Sequence, residues 1–231
     1  MTGALMLSSC LILPAAAAAG TGGTAPGGAL PASAPQPPAA PSGAHPVQLS
    51  AAGSGLVDRA LPLRGAVARR YAGHSVVIQA SSGAGWSTVA TAPADRRGAF
   101  AARWQSHRSG RFTLRAVIGG ARGAARARSS APTRVTVYPS AFATWYGPRS
   151  TGVWRTACGT QLTSTTLGVA HRTLPCGTRV ELFYGGRTLV VPVIDRGPYS
   201  NGVDWDLTVG ASDALGFTGA GVDRIGALPL R

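Results

Sequence analysis

The sequence predicts an all-β chain, an N-terminal immunoglobulin-like β-sandwich followed by a small closed barrel with one short helix. Three observations carry this prediction. Apolar residues recur in short runs with partial period-two alternation rather than at helical spacing. Glycine, 32 of 231 residues, falls largely between those runs, where turns need it. Charge is unevenly spread, and the change in its balance near residue 138 divides the folded part in two.

The chain opens with MTGALMLSSCLILPAAAAAG, an apolar run ending in small residues, which reads as a secretory signal over residues 1–19. It is short for a stable membrane span, and no basic residue precedes it. The LSSC of Leu7 to Cys10 resembles a lipoprotein box, but a longer apolar run follows it, so a lipid anchor at Cys10 is not expected. Residues 20–46, rich in Ala, Pro and Gly, carry no charge and hardly any large side chain. They cannot bury enough apolar area to offset their ordering entropy and are expected to be a disordered tether. About 185 residues remain, room for two small domains.

Residues 47–138 hold fourteen Arg against Asp58 and Asp95, a balance of +12, whereas residues 139–231 hold eight Arg against six acids, only +2. Such an excess draws the first domain towards polyanions, and for an exported chain these are anionic wall polymers. A positive surface that is merely solvated is the alternative. Nucleic acid is not expected, because aromatic residues are few and no recognition helix or stacking platform is apparent. HSVVIQAS, WSTVATA, GAFAARWQS, GRFTLRAVI and TRVTVYP are the strand-like runs of this Arg-rich domain, spaced as in a sandwich.

In residues 139–231, AFATWYG reads as a strand, and Thr178 to Asp195 as a hairpin about a Gly185-Gly186 turn. Pro192 is expected at an edge or bulge, since it cannot donate to a ladder. Thr208 and Gly216 read as the caps of one helix, and VDRIGALPL as the closing strand. Short strands, one helix and many Gly turns in about 90 residues imply a closed barrel.

Five stretches of this region, ATWYG, TACG, VAHRTLPCGTRV, VIDRGPY and WDLTVGASDALGF, stand in the order and spacing of the rare lipoprotein A family, which the C-terminal domain resembles. The resemblance implies a double-psi β-barrel and, through the family's septal lytic transglycosylases, action on peptidoglycan glycan strands. Expansins share that barrel, which brings in a second reading, a non-catalytic wall-binding or wall-loosening module. Carried over by motif, the catalytic aspartate falls on Asp195 and the catalytic histidine on His171. Chemistry supports the choice of Asp195: one carboxyl can protonate a glycosidic oxygen and then take the proton of the sugar's C6 hydroxyl as a 1,6-anhydro ring closes. Its place at the end of the apolar LVVPVI supplies desolvation. Arg196 is expected to point away from the acid, towards carboxylates of the glycan. Asp195 alternatively reads as shaping the Gly197-Pro198 bend, and His171 as a turn residue satisfied by backbone.

Asp206 is expected either to brace the helix near Thr208 or to bind substrate, while Asp204, Asp213 and Asp223 read as solvated surface. Where the family carries SGE this chain has CGT, so a further catalytic glutamate is replaced by Thr160, which can bind a hydroxyl but cannot carry a proton. Tyr199, after DRGP, is the leading sugar-stacking candidate, with Tyr146, Trp154 and Trp205 near the same groove and Trp145 expected in the core. Cys158 and Cys176 are expected to pair, as two cysteines in an exported chain do by default. His171 has no second histidine near it, so no metal is expected, and no cofactor.

Overall fold

The computed structural model describes residues 46–119, 127–149 and 154–230. The expected signal and, except for Pro46, the expected tether lie outside the described residues. The first nine strands are β1 (Val47–Ala51), β2 (Ser54–Leu56), β3 (Leu61–Val67), β4 (Ser75–Ser81), β5 (Ser87–Pro93), β6 (Ala99–Trp104), β7 (Gly110–Ile118), β8 (Arg128–Ser129) and β9 (Thr133–Tyr138). Antiparallel β1, β3 and β6 make one sheet; β2, β9, β7, β4 and β5 make a second, with β8 along β7. Side chains alternate across these sheets as the period of two demands, so Val76, Ile78 and Ala80 of β4 turn inward. With Leu63, Leu114 and Ile118 they form one core, each large aliphatic side chain contributing roughly 1.5–3 kcal/mol on burial.

Strand β3 is hidden in the sequence by Pro62 and Gly65. Burial nonetheless alternates over its first four residues, with Leu61 and Leu63 buried and Pro62 and Arg64 exposed, before Gly65, Ala66 and Val67 are all buried. Gly65 is required by packing, because a Cβ there would stand 2.1 Å from the Phe100 ring and 2.2 Å from the Gln48 carbonyl oxygen.

The remaining elements are β10 (Ser140–Tyr146), β11 (Trp154–Arg155), β12 (Gln161–Leu162), β13 (Val169–Ala170), β14 (Arg179–Tyr184), β15 (Arg187–Asp195), β16 (Trp205–Thr208), the helix α1 (Val209–Leu215) and β17 (Asp223–Pro229). Six of them close into a barrel in the order β10-β16-β13-β15-β14-β17, with β17 returning antiparallel to β10. The pairs β10/β16 and β13/β15 are parallel. This is the all-β closed barrel with a single helix that the sequence predicts, in keeping with a double-psi arrangement.

Local chemistry sets its joints. Gly185 and Gly186 link β14 to β15 with φ of 55° and 84°, the pair of positive values that a tight hairpin turn requires. Thr208 caps α1 by accepting from the Ala211 N–H, and Gly216 ends it at φ 76°. Pro192 stands opposite Arg179 of β14, just before β13 joins the other side of β15 at Val193. Leu182, Val193, Leu207, Phe217 and Ile225 fill the interior. One residue separates β9 from β10, and the buried Tyr138 ring stacks on Phe183 of β14 at 5.3 Å, so the sandwich and the barrel touch directly.

Candidate active site

A register shift in β15 builds the site. Val169 of β13 pairs with Val193, but the next residue, Ala170, pairs with Asp195 rather than Ile194. Such a bulge inserts one residue and re-aims the next side chain. Ile194 turns into the barrel wall against Gly168, where an added Cβ would come within 2.5 Å of its Cδ1 and Cγ1. Ala170 also pairs with Asp206 of β16, and Asp206 with Thr144 of β10. Four adjacent strands therefore carry Thr144, Asp206, Ala170 and Asp195 in one row. The two acids flank the small Ala170, two strand spacings or roughly 9–10 Å apart at their Cα atoms.

Each acid is held differently. Asp195 is half-buried, and its Oδ1 accepts from the Ala157 N–H and the Arg196 N–H, both at 2.8 Å. Asp206 Oδ1 accepts from the Thr144 hydroxyl at 2.6 Å. Burial pushes the Asp206 pKa up, the Thr144 bond opposes this, and the Asp195 charge adds to the rise. Asp206 does not cap α1, because Thr208 supplies that contact itself.

His171 follows β13, and its N–H donates to the Asp195 carbonyl at 3.2 Å. Its Nδ1 accepts from the N–H groups of Thr173 and Leu174, at 3.2 and 3.0 Å. An Nδ1 that accepts twice leaves the proton on Nε2 of a neutral ring. Burial, then the charges of Arg172 and Arg196, lower the His171 pKa and keep it neutral, with a smaller opposing effect from Asp204. His171 thus closes its own turn through Nδ1, and it makes no side-chain bond to Asp195.

Two arginines fasten the loops around this row. Arg196 turns from Asp195 as expected, but towards protein: its guanidinium donates to the Leu174 carbonyl at 2.8 Å and the His171 carbonyl at 3.4 Å. Arg172 donates to the carbonyls of Pro198 and Val203, at 2.7 and 2.6 Å, and so holds the loop that follows Asp195. Cys158 and Cys176 are bonded, tying the Thr156–Thr160 turn to the loop after His171. The turn itself is closed by the Thr156 hydroxyl, which accepts from the Thr160 N–H at 3.1 Å. Thr160 is half-buried at the end of this turn.

The aromatic residues separate into two groups. Tyr199 is 79% exposed and Trp154 54%, available to stack on a ligand, whereas Trp205 is 6% exposed and packs against the His171 ring at 4.4 Å. Trp205 is therefore core rather than a sugar platform. Trp145 is partly buried, its Nε1–H donating to the Thr218 carbonyl. Asp204, Asp213 and Asp223, expected as solvated surface, each accept a hydrogen bond, from the Phe142 N–H, the Thr218 hydroxyl and the Tyr184 hydroxyl respectively.

Tyr146, read from the sequence only as an aromatic near the groove, places its hydroxyl in this site. The oxygen is buried and has no hydrogen-bond partner. Burial, then the charge of Asp195 and the pull of its carboxylate as a hydrogen-bond acceptor, then the Asp206 charge, pushes the phenol pKa up. Asp195 is thus the acceptor the hydroxyl faces, at a geometry short of a full hydrogen bond. Tyr146 follows Thr144 by two residues on β10, so alternation puts both on the face that carries the acids. The strand pattern does hold that signal, but only the strand order shows what the face meets.

Among the described residues no cluster of His, Cys, Asp and Glu could hold a metal, and no helix is long and apolar enough to cross a membrane. Cavities of about 720 and 450 Å³ lie elsewhere, against the sandwich. The acids and His171 stand on an open face of the barrel, half-buried.

Residues 140–226 match the family model described as lytic transglycolase. The "Probable endolytic peptidoglycan transglycosylase RlpA" of Synechocystis sp. is 43% identical over 86 residues, 36% of this chain and 26% of that protein. Its counterpart in Aquifex aeolicus, under the same name, is 38% identical over 96 residues, 41% of this chain and 42% of that protein. The chain thus spans between a quarter and two-fifths of the length of these relatives. A solved structure, "Streptomyces papain inhibitor (SPI)", aligns at 30% identity over 40% of this chain and 93% of that one, with a TM-score of 0.33, too low to bear on the fold. Barrel order, helix and matched segment agree, and residues 140–226 form a double-psi β-barrel domain of the rare lipoprotein A family.

Proposed function

We propose that this chain is an exported cell-wall enzyme, a lytic transglycosylase that cleaves MurNAc–GlcNAc bonds of peptidoglycan glycan strands and leaves 1,6-anhydro ends. The observation that carries the reading is the row across β16, β13 and β15, in which a bulge presents Asp195 beside Ala170 and Asp206. Oδ1 of Asp195 is occupied by two backbone donors, which leaves Oδ2 for the substrate. Protonated Asp195 donates to the glycosidic oxygen as the C1–O bond breaks. The C6 hydroxyl oxygen of the same sugar then bonds to C1, and its proton returns to Asp195, so one carboxyl serves both steps without a water nucleophile.

In this reading His171 offers its Nε2–H to a sugar oxygen, and the Tyr146 hydroxyl offers a buried donor beside the reacting carboxyl. Tyr199 and Trp154 supply flat exposed faces for stacking. Arg196 acts by holding the His171 loop rather than by touching glycan.

A non-catalytic, expansin-like wall-binding module is the second reading, favoured by Thr160 standing where the family carries an acid. Mature protein incubated with peptide-free glycan strands decides between them. Mass spectrometry is expected to find 1,6-anhydro-MurNAc ends, absent with Asp195→Asn. Sedimentation with insoluble wall and no such ends would establish the binding module instead. Products that persist at full rate in Asp195→Asn would remove Asp195 from the acid's role.

A further inference from the structure

Two arginines of residues 47–138, a stretch with a charge balance of +12, meet one arginine of the barrel. A cavity of about 720 Å³ lies between the turn after β2, the loop from β6 to β7, and the ends of β10 and β17, and it gathers Arg59, Arg108 and Arg224. Among the described residues the contacts within ion-pair distance are His107 with Asp58, a charge pair only while the imidazole is protonated, and Arg111 with Glu181, so none of these three guanidinium groups has a carboxylate partner. Asp58 is the one acid lining the cavity, and it is engaged by His107 at 2.6 Å.

The walls are held in place by specific bonds. Asp58 is the one described non-glycine residue with positive φ, at 60°, a conformation that Asp tolerates better than most residues. Its N–H donates to the Ser106 carbonyl, and the Val57 N–H to the Tyr138 carbonyl, which fixes the β2 turn to the opposing loop and to the end of β9. Arg224 stands over the Phe142 ring, its Cζ 4.1 Å from the ring centre, and reaches the Ser140 hydroxyl at 3.4 Å, so its head is held in place. The cavity shares His107 and Arg108 with a second one, of about 450 Å³, which contains Trp86. Trp86 is 39% exposed.

We infer that this cleft is an anion site for a phosphate-bearing polymer. Three guanidinium groups with the hydroxyls of Ser109 and Ser140 surround one space, more donors than a lone carboxylate can accept from. A phosphate chain supplies several oxygens per charge in the geometry that the guanidinium fork matches. The adjoining Trp86 cavity gives such a polymer a path beyond the charged contact. This inference is independent of the barrel's chemistry, since the cleft contains none of the Asp195 row.

Isothermal titration of the whole chain with inorganic tripolyphosphate tests it, with oligogalacturonate as the carboxylate polyanion for comparison. Arg59→Gln/Arg108→Gln is expected to weaken tripolyphosphate binding at least tenfold, and Arg224→Gln at least threefold. Arg103→Gln/Arg134→Gln removes the same charge from exposed positions of the same domain outside the cleft and is expected to change binding less than threefold. Equal losses in both double variants would show diffuse attraction and overturn the site. Equal affinity for oligogalacturonate, or no binding of tripolyphosphate by the unaltered chain, would overturn it as well. Circular dichroism of each variant, superimposable on the parent, separates lost binding from lost fold.

Discussion

Removing the Cys158–Cys176 bond, as Cys158→Ser/Cys176→Ser, perturbs stability and the site through one tether. The two cysteines are 18 residues apart, and closing a loop of that size restricts the unfolded chain by about 3 kcal/mol at 25 °C. With a urea m-value of roughly 1–3 kcal/mol/M for a small domain, this lowers the unfolding midpoint by about 1–3 M. The bond lies wholly within the barrel, so the loss belongs to the barrel transition and not to the separate core of the sandwich. The same tether holds the turn whose Ala157 N–H reaches Asp195 Oδ1, so the proposed glycan cleavage is expected to fall together with stability. Urea titration followed by near-ultraviolet circular dichroism checks the first effect, with reduced parent protein expected to match the double variant. Equal midpoints for oxidised parent and variant, or two titratable thiols in denatured, unreduced protein, would refute the reasoning.

Three further outcomes follow from particular contacts. Tyr146→Phe removes a buried hydroxyl that faces Asp195 without a full hydrogen bond, so thermal denaturation is expected to change by less than about 1 kcal/mol while the proposed cleavage slows; a larger loss of stability would show that the hydroxyl is bonded. Asp206 binds its proton more tightly folded than unfolded, because burial outweighs the Thr144 bond. Its contribution is therefore complete below the unfolded pKa and is lost as pH rises through the higher folded one. Asp206→Asn, which keeps an acceptor for Thr144, is expected to be more stable than the parent at pH 7 and equal to it at pH 3, read from denaturation midpoints at the two pH values. Gly168→Ala drives a Cβ to 2.5 Å from Ile194, and since Ile194 is buried the overpacking costs about 1–3 kcal/mol and disturbs the bulge that aims Asp195. Calorimetry measures the first effect and the anhydro-end assay the second.

Features decided by a few neighbouring residues were legible in the sequence. The Gly185-Gly186 turn, the Thr208 and Gly216 caps and the alternating strands depend on backbone preferences within one or two turns of chain, and all stand where the pattern puts them. Strand β3 escaped because Pro62 and Gly65 interrupt its alternation, and the need for Gly65 comes from Phe100, 35 positions away. The pairing of Cys158 with Cys176 was open to inference from the cysteine count and the expected export alone.

What the tertiary structure alone decided is which distant residues share a surface. Nothing near Asp195 in the chain shows that a shifted register places it level with Ala170 and Asp206, or that Thr144 is the group that binds Asp206. Nor does local sequence show Arg172 and Arg196 turning to protein carbonyls, Trp205 sinking beneath His171, or Arg224 joining Arg59 and Arg108. Each of these depends on strand order and closure of the barrel, contacts made across tens of residues, and residue preference reaches only as far as the next turn of the backbone.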